Sequence, residues 1–124
     1  MRRGTRARIR LDAIRHNLQT IKNTAPGSNV MAVIKANAYG HGLVPVARAV
    51  EAADALAVAR LTEALQLRDA GISKTLTLLG GVLSADDLAV ALDIDVHVGI
   101  HHEQQIRWAE EAGRRIPMAW LKVD

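Results

Sequence analysis

From residue 30 onward the chain alternates short apolar runs with amphipathic segments, and this alternation restricts the fold more than any other feature. Val30–Ile34, Ala55–Ala59, Thr75–Leu79, Val96–Ile100 and Met118–Val123 read as strands. Val44–Ala52, Thr62–Ala70, Ala85–Leu92 and His102–Gly113 lie between them and read as helices, with Ser84 as a cap and Gly71 as a stop. The repeat is about 20–25 residues, short enough for compact βα units. Such a pattern predicts a parallel sheet with right-handed crossovers. A doubly wound sheet and a (β/α)8 barrel both satisfy it. A complete barrel takes about 250 residues and eight units. Here there are 124 residues and five strand patterns, with no closing helix after Val123. The expectation is therefore part of a barrel, or an unusually short relative of one.

Composition narrows the class. At 124 residues the chain is long enough for one core but hardly for two domains, and 49% apolar residues fit a globular class. Aromatics are 2% with no Phe, so Leu, Ile, Val, Ala and Met must fill that core. The absence of cysteine excludes a disulfide scaffold and a thiolate metal site, and fits a reducing, cytoplasmic location. No stretch approaches the ~20 apolar residues of a membrane span, and no apolar segment follows Met1-Arg2-Arg3 as a signal peptide requires.

Before the repeat, Thr5–Leu11 sets Arg6, Arg8 and Arg10 against Ala7, Ile9 and Leu11, the period of a half-exposed strand. Asp12 caps or opens a helix carrying Ile14, Leu18 and Ile21, and Pro26-Gly27-Ser28 ends it. Five of the first ten residues are arginine, so much of the positive charge is local. With no aromatics between them, these arginines read as a solvated strand face rather than a nucleic-acid surface.

The chemistry concentrates where the first apolar run ends. Val30–Ile34 stops on Lys35; the only tyrosine, Tyr39, follows four residues later; Gly40 and Gly42 then flank His41. In parallel α/β folds the loop after a strand faces the ligand. An amine at the end of a buried strand suits Schiff-base chemistry with an aldehyde cofactor. A hydroxyl on the next loop suits a phosphate oxygen, and the glycines let the backbone approach closely. A solvated strand-end lysine beside a glycine turn satisfies the spacing equally. Other signals are weaker. His102-Glu103-Gln104-Gln105 begins like a zinc helix, but Ile106 replaces the second histidine, so no metal site is expected. Gly80-Gly81 is not a dinucleotide fingerprint.

The string Val33-Ile34-Lys35-Ala36-Asn37-Ala38-Tyr39-Gly40-His41-Gly42 resembles the pyridoxal-phosphate signature of the alanine racemases. Ile9–Asn17 is similar to that family's N-terminal strand and helix, Ala57–Ala64 to its second barrel strand and following helix, and Leu121–Asp124 to a later barrel strand. The resemblance implies a fold-type III enzyme: a partial (β/α)8 TIM barrel of about the first five strands, preceded by a strand belonging to a C-terminal β domain. It implies residues 1–28 as N-terminal strand and helix and 29–124 as the first part of the cofactor-binding barrel. It also implies pyridoxal 5'-phosphate as cofactor and racemisation of L- and D-alanine, for peptidoglycan precursors, by a cytoplasmic homodimer. Residue by residue, Lys35 matches the Schiff-base lysine and one of two bases, Tyr39 the phosphate-holding tyrosine, Leu79 a leucine near the cofactor ring, and Lys122 a lysine that is often carbamylated. The second base is a tyrosine of the partner subunit's C-terminal domain. Tyr39 has the phosphate role, so these 124 residues alone are expected to be inactive. Two other readings share the fold: an amino-acid racemase of broader range, and a non-catalytic pyridoxal-phosphate barrel protein.

Overall fold

The computed structural model describes residues 4–123. Arg2 and Arg3 of the basic cluster and Asp124 of the last matched string lie outside the described residues. The elements are α1 (Leu11–Thr24), β1 (Met31–Val33), the one-turn α2 (Lys35–Tyr39), α3 (Leu43–Ala49), β2 (Ala55–Val58), α4 (Leu61–Asp69), β3 (Leu76–Leu78), α5 (Ala85–Asp93), β4 (Val96–Ile100), α6 (Glu103–Glu111) and β5 (Ala119–Leu121).

The five strands form one parallel sheet in the order β1-β2-β3-β4-β5. That order settles the choice between the two α/β architectures. A doubly wound sheet reverses its strand order at a switch point, where its ligand binds. Here each strand pairs with the next in sequence and no reversal occurs, which is the winding of a (β/α)8 barrel. The chain is thus a five-strand part of such a barrel.

Two residues per repeat put Leu56, Val58, Leu76, Leu78, Val96 and Val98 on one face of the sheet. They join Leu18 of α1, Val46 of α3, Ala64 and Leu67 of α4, and Leu88 and Ala91 of α5 in a single core. Leu56, Leu67, Leu76 and Leu78 are wholly removed from water, each worth about 1.5–3 kcal/mol against exposure. β2 and β3 are buried on both faces, as central parallel strands are. On α4 Ala64 and Leu67 are fully buried, while Leu65 is only half-buried.

Two expectations change and a third narrows. The Thr5–Leu11 strand does not form: residues 4–10 are exposed and enter no ladder, and Leu11 already begins α1. Arg10 is extended at φ −98°, but alternation cannot make a strand without a partner, and no strand of the sheet pairs with this segment. Of the two roles read for Asp12, it opens α1 rather than capping it: it lies in the first turn and accepts from Arg10 at 3.0 Å, which holds its carboxyl below the usual value. The run Val30–Ile34 is not buried on both faces, because β1 is an edge strand and Val33 is 40% exposed.

Candidate active site at the C-terminal rim of the sheet

β1 delivers Lys35 to the rim. The Ile34 N–H donates to the Ala57 carbonyl at 2.9 Å, the final bond between this edge and β2. Ile34 is buried, Lys35 is half-buried, and the chain then reverses its hand. Ala36, Asn37, Ala38 and Tyr39 hold φ of 52°, 56°, 54° and 55°, and Gly40 follows at 86°. The expected loop after Lys35 is therefore a left-handed turn built mostly from residues that disfavour it, at about 1–2 kcal/mol each. Asparagine tolerates this region through its short polar side chain; alanine and tyrosine do not.

The surroundings over-determine the turn, as persistence of such strain requires. Ala38 packs its methyl into the core and donates its N–H to Ile34 O at 2.9 Å. The Gly40 N–H reaches Ala36 O, and the Gly42 N–H reaches Asn37 O, both at 3.0 Å. Asn37 Oδ1 accepts the Leu43 N–H at 2.9 Å and so serves the first turn of α3, which Gly42 cannot cap with a side chain. His41 Nδ1 lies 2.9 Å from Ala38 O, which ties the ring to the backbone of the turn. Gly40 and Gly42, both at positive φ, close the turn where a Cβ would add strain.

Tyr39 leaves the turn 59% exposed. Leu79 directly follows β3, half-buried, with its N–H on Val58 O at 2.8 Å. Lys122 directly follows β5, exposed, with its N–H on Ile100 O at 2.8 Å. Lys35, Leu79 and Lys122 thus stand at the C-terminal ends of alternate parallel strands, on one rim, where barrel chemistry resides. A groove of about 770 Å³ between α4 and α5 opens near this rim, lined by Ala59, Arg60, Gly80 and Leu83 among others; neither Lys35 nor Tyr39 lines it.

The donor set is chemically compatible with a phosphorylated aldehyde: Lys35 brings a primary amine and Tyr39 a phenol, carried on one left-handed turn. Among the described residues no group of three metal-ligating side chains occurs. His102 instead caps α6 through Nδ1, 3.1 Å from the Gln104 N–H.

Sequence reasoning gave Glu63 no role, yet its carboxylate reaches this turn, taking the Asn37 N–H at 3.2 Å. An acid three residues after a helix N-cap was the available signal; the contact itself spans 26 residues.

Residues 9–124 match the protein family described as the alanine racemase N-terminal domain. The chain is 49% identical over 119 residues to an alanine racemase of Vibrio cholerae, covering 95% of this chain and 33% of that protein. It is 47% identical over 113 residues to the biosynthetic alanine racemase of Escherichia coli, covering 90% and 32%. The crystal structure of the biosynthetic alanine racemase from Pseudomonas aeruginosa superposes with a TM-score of 0.85 at 40% identity, covering 91% of this chain and 32% of that one. The chain spans about a third of the length of the relatives it matches.

Proposed function

The chain belongs to the alanine racemase N-terminal domain family, and from that membership we propose that it supplies the cofactor-anchoring part of a pyridoxal-phosphate enzyme interconverting L- and D-alanine. The observation that carries the reading is the strained Lys35–Tyr39 turn at the barrel rim, inside the family match. Residues 29–124 are the first part of the cofactor-binding barrel. Residues 1–28 lead into it, with α1 lying against α3.

Each residue has a task. The Lys35 amine would hold the cofactor through its aldehyde, the Tyr39 hydroxyl would donate to its phosphate, and Leu79 would be its apolar neighbour. When bound, the cofactor draws electron density from the substrate α-carbon and so acidifies its proton. Once the substrate amine has taken its place on the aldehyde, the freed Lys35 Nζ would take or return that proton on one face, as a base positioned for one enantiomer. The opposite face needs a second base. Tyr39 is the only tyrosine here and is committed to phosphate, so these 124 residues alone do not turn over alanine. In the complete protein a second subunit of a homodimer provides that base. Lys122 is the candidate for carbamylation, which would turn its cation into an anion. By the family reading the setting is the cytoplasm and the product supplies peptidoglycan precursors. No helix among the described residues is long and apolar enough to cross a membrane.

In the complete polypeptide, added pyridoxal phosphate should give a protein-bound absorption band that Lys35→Ala abolishes, and alanine should racemise only when the band is present. A band that survives Lys35→Ala would contradict the assignment. Assaying serine, lysine and arginine beside alanine decides between an alanine racemase and one of broader range. Binding without any racemisation would favour the non-catalytic barrel.

A further inference from the structure

Glu63 takes backbone hydrogen bonds from two separate parts of the rim. Its Oε2 accepts the Asn37 N–H at 3.2 Å, in the middle of the left-handed turn. Its Oε1 accepts the Ala59 N–H at 3.4 Å and the Arg60 N–H at 3.3 Å, where β2 passes into α4. The Arg60 bond is the acidic half of a capping box. The stem of Glu63 is fixed, because it rises from the first turn of a helix whose Ala64 and Leu67 are fully buried. Asn37 lies between two alanines that have no polar side-chain atom to secure their own backbone. Among the described residues, Glu63 is the acceptor for the Asn37 N–H.

A carboxylate suits this position chemically. It accepts on both oxygens and donates on neither, whereas an amide accepts on one only. With three N–H groups divided between two oxygens, glutamine must leave one side unserved.

We propose that Glu63 is a positioning residue for the pyridoxal-phosphate site. Its carboxylate ties the Lys35–Tyr39 turn to the β2–α4 junction. In doing so it holds the backbone segment that carries both the Lys35 amine and the Tyr39 hydroxyl. The proposal rests on the cofactor reading above and adds a residue to it.

The test uses the complete polypeptide as wild type, Glu63→Gln and Glu63→Asp. Glu63→Gln keeps side-chain length and can still cap α4, but it abandons Asn37. Glu63→Asp keeps both acceptors on a stem one methylene shorter, and it reads the same quantities should the glutamine variant unfold. Three measurements are made: amide hydrogen exchange without cofactor, titration with pyridoxal phosphate, and titration with pyridoxine phosphate, which lacks the aldehyde. In Glu63→Gln, amides 37–42 should exchange about tenfold faster or more while those of α4 and β2 stay protected, matching the loss of one charge-assisted bond. Affinity for pyridoxal phosphate should fall about tenfold or more. Affinity for pyridoxine phosphate should fall less, since it samples the phosphate site without Lys35. Glu63→Asp should lie between. Wild-type exchange and affinity in both variants would overturn the inference alone, as would weakened binding with protection lost evenly across the barrel. Failure of the wild-type protein to bind pyridoxal phosphate would overturn the cofactor reading, and the inference with it.

Discussion

Ala36 and Ala38 occupy left-handed backbone at φ of 52° and 54°, where an L-residue is disfavoured by about 1–2 kcal/mol. Ala38 offsets this by burying its methyl, but Ala36 is exposed and has no such return. Ala36→Gly should therefore leave stability unchanged or raise it by up to about 1 kcal/mol, read by denaturant unfolding. The same exchange in a right-handed helix lowers stability by about 1 kcal/mol, and a drop of that size would contradict the strain described here. The place of Lys35 and Tyr39 was legible at this scale, because an apolar run ending on an amine followed by paired glycines marks a strand passing into a tight turn. The hand of the turn was not legible. Local preference ranks alanine as the best right-handed helix former, so Lys35-Ala36-Asn37-Ala38 gives no hint of reversal. The reversal goes with local bonds and also with contacts that the string does not contain, the burial of Ala38 and Glu63 on Asn37.

The elements divide their work between the two ends of the sheet. At the end opposite the rim, Arg68 of α4 donates to the carbonyls of Ile72 and Lys74 at 2.8 Å and of Ile94 and Asp95 at 2.9 Å. Burial there pulls its guanidinium below the ordinary arginine value. One planar fork thus ties the loops entering β3 and β4, a geometry that a lysine ammonium cannot reproduce. Arg68→Lys should lose about 1–3 kcal/mol, seen as a lowered thermal midpoint, without loss of the Lys35-dependent cofactor band. Loss of the band in a folded Arg68→Lys protein would break this separation of ends. At the start of α5, Ser84 Oγ accepts the Asp87 N–H at 3.0 Å; Ser84→Ala should reduce stability by about 1 kcal/mol in the same assay. Such interior elements were readable because cap, apolar period and stop signal agree. β1 was read as a strand correctly, but its exposed edge and the missing pairing of Thr5–Leu11 were not, because strand burial and strand pairing depend on neighbours that a local pattern does not contain.

At the scale of the molecule, sequential pairing leaves β1 and β5 as the two edges of the sheet. Beside β5, Trp120, Leu121 and Val123 are 49%, 76% and 84% exposed. Unpaired N–H and C=O groups next to exposed apolar side chains template association. The 124-residue chain by itself should associate with rising concentration in sedimentation velocity, and a monomer throughout would contradict that. The barrel winding was legible only in part: five βα repeats also fit a doubly wound sheet, and strand order decided between them. The cofactor role of the rim is tested most directly by incubating the complete polypeptide with pyridoxal phosphate, reducing with borohydride, and mapping the modified peptide by mass spectrometry. Modification confined to Lys35, and absent from Lys35→Ala, is the predicted result. Modification of Lys22, Lys74 or Lys122 instead, or of no lysine, would contradict it.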